Sequence, residues 1–109
     1  MSTRRQERVN SLLQHLLGEF LKREADFKGV VVAITHIDIS QDLKFAKVFV
    51  SVFPESEEEG VLRKLAELRK EFMQYVGKHS KFKFLPSFEF IIDESEKKRA
   101  GVENLLKNI

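Results

Sequence analysis

The sequence predicts a single α+β domain spanning residues 1–109, in which three strands form one sheet and helices cover one of its faces. Three observations carry this reading. A β-branched run from Val30 is followed, after a short turn, by an alternating segment ending at Phe53. A second alternation places Phe82, Phe84, Phe88, Phe90 and Ile92 at even positions. Apolar residues at helical spacing lie before, between and after these stretches.

Taken in order, residues 3–24 form an amphipathic helix, because Val9, Leu12, Leu13, Leu16, Leu17, Phe20 and Leu21 make one apolar stripe. Thr3 and Gln6 have the spacing of a capping box. Arg4, Arg5 and Arg8 then sit near the helix start, where cations oppose the dipole at a cost of a few tenths of a kcal/mol each, roughly, so a partner is a better reason for them than stability. Gly29 opens the first strand, which continues through Ile37 and Ile39. Ser40, Gln41 and Asp42 supply a turn, and the strand from Leu43 to Phe53 turns Ala46, Val48, Val50 and Val52 to one face and Phe45, Lys47, Phe49 and Ser51 to the other. The two strands are expected to form an antiparallel hairpin.

Residues 54–60 are a polar, acidic break expected to be a solvated mobile loop. Val61, Leu62, Leu65, Leu68, Phe72, Tyr75 and Val76 then recur at helical spacing as far as Gly77, which reads as one long helix. Residues 81–93 read as the third strand, with Pro86 marking a bulge, a bend or an edge position. Periodicity does not decide which edge of the hairpin this strand joins. A last helix from Glu94 or Ser95 places Val102, Leu105, Leu106 and Ile109 on one side.

Composition excludes several functions. Apolar residues make up 42% of the chain, enough for a core and too many for a disordered tail. The absence of cysteine removes disulfide scaffolds, zinc ribbons, thiol nucleophiles and iron–sulfur ligation, and suits a reducing cytoplasm. No apolar run approaches the ~20 residues that span a bilayer, so no membrane partner is expected. His15, His36 and His79 are isolated from one another, and the glycines are dispersed, so neither a metal site, a catalytic triad nor a phosphate loop is expected, and no cofactor. Glu55, Glu57, Glu58 and Glu59 lack the spacing of a calcium loop, and Asp93, Glu94 and Glu96 fall where acids support a helix N-terminus. Ten phenylalanines invite a base-stacking platform, but most follow core periodicities; Phe45 and Phe49, on the face opposite Val48, are the exceptions.

The remaining signal is charge. Between residues 63 and 83 lie Arg63, Lys64, Arg69, Lys70, Lys78, Lys81 and Lys83, against only Glu67 and Glu71. With Arg4, Arg5, Arg8 and Lys47 they form a candidate RNA-binding set, since neutralising phosphates with several cations on one surface is how most nucleic-acid affinity arises.

The run Ile34-Thr35-His36-Ile37-Asp38-Ile39-Ser40-Gln41-Asp42-Leu43-Lys44-Phe45-Ala46-Lys47-Val48-Phe49-Val50-Ser51-Val52 resembles the hairpin signature of the ribosome-binding factor A family. Arg8-Val9-Asn10, Leu85-Pro86-Ser87-Phe88-Glu89-Phe90, Asp93-Glu94-Ser95 and Val102-Glu103-Asn104-Leu105-Leu106 agree with it in order. The resemblance implies a type II KH-like fold, α-β-β-α-α-β plus a C-terminal helix, in which the long second helix becomes two that meet near Leu68-Arg69-Lys70. The family's glycine at that kink is missing here, so Arg69 and Lys70 side chains would have to stand in for close backbone approach to RNA. It further implies a non-catalytic, monomeric, cytoplasmic factor that binds the immature 30S subunit and 16S rRNA, near the neck and the decoding-site end of helix 44. Such a factor assists late assembly and the maturation of the rRNA ends, with no small-molecule substrate. Two other readings stand beside it. A small acylphosphatase-like hydrolase wants a glycine-rich anion loop with an arginine, which is absent, and a protein-interaction module would use the acidic segment.

Overall fold

The structure, a computed structural model, describes residues 3–95. Helix α1 (Arg4–Glu24) leads into strands β1 (Val31–Ile39) and β2 (Phe45–Phe53), a short 3-10 turn (Glu55–Glu57), helices α2 (Glu58–Glu67) and α3 (Arg69–Lys78), and strand β3 (Ser87–Ile92). This is the expected α-β-β-α-α-β order, a three-stranded sheet with helices on one face. The expected C-terminal helix lies outside the described residues.

The capping box forms: Gln6 N donates to Thr3 Oγ1 and Thr3 N to Gln6 Oε1. Of the predicted stripe, Leu13, Leu16, Leu17, Phe20 and Leu21 are buried, whereas Leu12 remains 39% exposed at the margin. The hairpin is antiparallel, and Ala46, Val48, Val50 and Val52 all face the core as expected. In β1 the pairing passes from Ile34 opposite Val50 to His36 opposite Phe49, so Thr35 is an extra, bulged residue. The bulge reverses the strand's phase. Upstream of it Val32 and Ile34 pack on the core, and downstream Ile37 and Ile39 do.

The third strand joins β2 in parallel, giving the order β1-β2-β3. Parallel neighbours require a crossover, and α2 with α3 provides it across the core face. The strand is shorter than the alternation suggested. Its ladder begins with Ser87 N donating to Lys44 O, and the preceding Pro86 is buried and has no N–H to extend it. Residues 81–86 are therefore irregular, and Phe84, expected in the core, is 82% exposed, while Phe82 is half-buried. Phe88 is buried, and Phe90 packs on Phe72, which in turn packs on Phe20, with ring centroids 5.3 and 4.4 Å apart.

One further expectation is corrected. The acidic segment is a 3-10 turn followed by the first turn of α2, where Glu58 and Glu59 complement the helix dipole, and not a loop. The two helices that the resemblance implies in place of one long helix meet at Leu68, as expected, and its φ of −83° and ψ of 0° stay in a region open to any residue, so the joint needs no glycine. Leu68 N still bonds Lys64 O, and Phe72 N bonds Leu68 O, so two helical hydrogen bonds span the joint.

Candidate nucleic-acid interface

Helix α1 lies antiparallel to β1 and is fastened to it by three amides spaced four residues apart. Gln6 Nε2 donates to Ile39 O at 2.8 Å, Asn10 Oδ1 accepts from Ile39 N at 3.0 Å, and Gln14 Nε2 donates to Thr35 O at 3.1 Å. These bonds occupy backbone groups that an edge strand would otherwise leave open. They also bring the basic start of α1 beside the hairpin turn. The sequence contained this signal as Gln6, Asn10 and Gln14, a polar stripe beside the apolar one.

The turn is closed by side-chain and backbone hydrogen bonds. Asp42 Oδ1 accepts from Ser40 Oγ at 2.6 Å and from Lys44 N at 3.0 Å, and Leu43 N donates to Ser40 O with Leu43 at φ 61°. The Ser40 bond, then that of the Lys44 amide, hold the Asp42 carboxyl below its usual pKa. Lys44 is exposed in this turn and lines a concavity together with Lys83 and Phe84 of the irregular segment.

The candidate residues divide by place. Arg4, Arg5 and Arg8 are exposed on the first turns of α1, and Arg5 shares a concavity with Lys44 and Lys83. Lys44 was not in the predicted set, since one lysine in a turn gives no periodic signal. Lys81 is exposed in the same irregular segment, and Lys78 is exposed at the end of α3. Arg69 and Lys70 are exposed at the start of α3. Arg63 is exposed and 3.6 Å from Glu59, whereas Lys64 is half-buried, donating to Asp26 O with its ammonium 5.0 Å from the Phe27 ring centroid. The length of α1, about 30 Å, separates that pair from Arg5. Lys47 lies on the uncovered sheet face between Asp38 and Glu89. Of the two candidate stacking rings on that face, Phe45 is 63% exposed, and Phe49 is half-buried beneath His36, their centroids 4.1 Å apart.

A second polar cluster sits at the bulge. Thr35 Oγ1 lies 2.6 Å from Asp93 Oδ2 and 3.2 Å from Phe49 O; with one proton to give, it donates to the carboxylate. Asp93 Oδ1 accepts from Ser95 N at 2.9 Å, and His36 Nδ1 is 3.7 Å from Asp93 Oδ2. Chiefly the Thr35 hydroxyl, then Ser95, bring the Asp93 carboxyl down to about 2. A hydrolase triad would need the hydroxyl on the imidazole, and here it is on the acid. Among the described residues no group of three or more His, Cys, Asp or Glu could hold a metal, and no helix is long and apolar enough to cross a membrane.

The sequence profile of "Ribosome-binding factor A" matches residues 5–106. The chain belongs to the ribosome-binding factor A family. Curated members include those of Opitutus terrae, 35% identical over 94% of this chain and 84% of its own length, and Natranaerobius thermophilus, 32% identical over 100% of this chain and 85% of its own. The fold matches the crystal structure of ribosome-binding factor A from Thermus thermophilus, with a TM-score of 0.72 at 23% identity over 80% of this chain and 94% of that one. A solution structure from Thermotoga maritima, a putative ribosome binding factor A, gives 0.69 at 24% identity over 84% and 89%. Membership in the ribosome-binding factor A family gives the chain a role in ribosome maturation, as a binding protein and not an enzyme.

Proposed function

We propose that the chain binds the immature 30S subunit through 16S rRNA during late assembly, acting as a cytoplasmic monomer that assists rRNA end processing. The observation that carries this reading is the meeting of Arg5, Lys44 and Lys83 at one end of the molecule, with Arg4, Arg8, Lys78 and Lys81 exposed on the same three elements or next to them. Cations gathered on elements that are separately anchored make a surface able to neutralise a folded RNA backbone. A coordinate set for the Thermus thermophilus factor, 24% identical to this chain, was fitted into a map of a 30S complex, so a protein of this fold does dock on that particle.

Co-sedimentation with immature and mature small subunits tests the proposal. Replacing Arg69, Lys70, Lys81 and Lys83 together by Gln should abolish binding to immature subunits at physiological salt with the fold intact. Replacing Glu57, Glu58 and Glu59 by Gln should not weaken it. Each phosphate contact removed should lower the salt slope by a little under one unit, roughly. A quadruple variant that bound with an unchanged salt slope would show the basic stretch to be merely solvated.

A further inference from the structure

Between the start of α1, the hairpin turn and the segment before β3 lies a concavity of about 340 Å³. We propose that it receives one unpaired RNA nucleotide, its base stacked on Phe84 and its flanking phosphates held by Arg5, Lys44 and Lys83; this rests on the RNA-binding reading above and names what that surface grips.

Four features converge on a nucleotide. The floor is apolar, made by Ile39, Leu43, Leu85 and Pro86, and suits the flat faces of a base or ribose. Phe84 stands 82% exposed at its edge, a large apolar ring left in water. The Lys83 ammonium is 5.9 Å from that ring's centroid, within cation–π range, which leaves the opposite face open for stacking. Arg5, Lys44 and Lys83 make no ion pair among the described residues, so their charge is available to an anion.

Asp42, the one acid among the described residues that line the concavity, has Oδ1 committed to the turn, and its Oδ2 is an acceptor for an exocyclic amine or a ribose hydroxyl. An anion with no donor groups would meet that carboxylate at a cost, whereas a nucleotide brings both signs. A base within a duplex already has its two faces stacked and cannot offer one to Phe84, so the occupant is unpaired.

The test uses the full chain with three probes: a fluorescent mixed-sequence RNA single strand of about eight nucleotides, a blunt RNA duplex of the same length, and immature small subunits. Phe84→Ala should weaken single-strand binding about tenfold with the salt slope unchanged, because it removes a stack and no charge. Duplex binding should not move, and Phe84→Tyr should bind as the parent does. Arg5→Gln with Lys44→Gln should instead lower the salt slope by about 1.4 units, roughly 0.7 for each contact to a single strand. Because Phe84 is exposed, its variants should unfold at the parent's temperature, which separates loss of binding from loss of fold. If Phe84→Ala bound the single strand like the parent while the parent bound subunits, the nucleotide site would be overturned and the broader reading kept. If the parent bound neither RNA nor subunits, both would fall. If Phe84→Ala lost subunits but kept the single strand, the concavity would hold a ribosomal protein and not a nucleotide.

Discussion

Thr35 and Asp93 form a contact between the first strand and the residues that follow the last one, and it depends on ionisation. The Asp93 carboxyl titrates near 2 in the folded chain, chiefly because the Thr35 hydroxyl donates to it, whereas in an unfolded chain it titrates at the ordinary value near 3.8. Between those values the unfolded state binds more protons than the native one, so this contact's stability is fully present above about pH 5 and is lost as pH falls toward about 2. Urea midpoints measured down that range should fall with pH, and Thr35→Val should flatten the decline; an equally steep decline in the variant would place the acid sensitivity elsewhere. The phenylalanines offer a second contrast. Phe88 is 3% exposed and Phe84 is 82% exposed, so Phe88→Ala should cost about 3–5 kcal/mol and Phe84→Ala less than about 0.5 kcal/mol by denaturant unfolding. Had the alternation from residue 81 been one strand, the two losses would be alike.

Among the elements, the joint at Leu68 is the most open to experiment. Arg69 is the first residue of α3, so Arg69→Gly should be less stable than Arg69→Ala by up to about 1 kcal/mol, and near-equal stabilities would mean that the helix starts further on. What the sequence made legible at this scale follows from where period and geometry coincide. The second strand was readable because its alternation runs unbroken from Ala46 to Val52, and the first helix because its stripe and its capping pair agree. The bulge was hidden, since a continuous apolar run from Val30 to Ile34 has no phase from which a shift at Thr35 could be detected. The third strand was overextended because Phe82 and Phe84 keep the parity of Phe88 while Pro86 ends the ladder between them. In the candidate interface, charge was legible residue by residue. Its grouping was not, since Arg5, Lys44 and Lys83 meet only through tertiary structure.

Across the whole molecule, helices cover one face of the sheet, and the other presents Val31, Phe45 and Phe53, each more than 60% exposed. The cations fall into groups of unequal availability. Lys64 is committed to Asp26 O and the Phe27 ring, and Arg63 lies beside Glu59, whereas Arg5, Lys44 and Lys83 share an open concavity. Replacing Arg5 and Lys44 by Gln should therefore lower the salt slope of subunit binding more than replacing Arg63 and Lys64 by Gln does. Equal effects would indicate that RNA reaches both ends of the molecule.

The parallel pairing of β3 also sets an order of assembly. The hairpin closes through a turn of a few residues, but β3 cannot find β2 until both crossover helices have brought the chain back, and such distant contacts bear the larger loop-closure cost. The last strand should be the late event in folding and the early one in opening. In a native-state amide exchange experiment the hairpin's paired hydrogens should outlast those of Ser87 and its neighbours. Because Ser87 N is tied to Lys44 O, each such opening would also part the two walls of the concavity, so its lifetime is governed by the slowest-forming seam of the sheet.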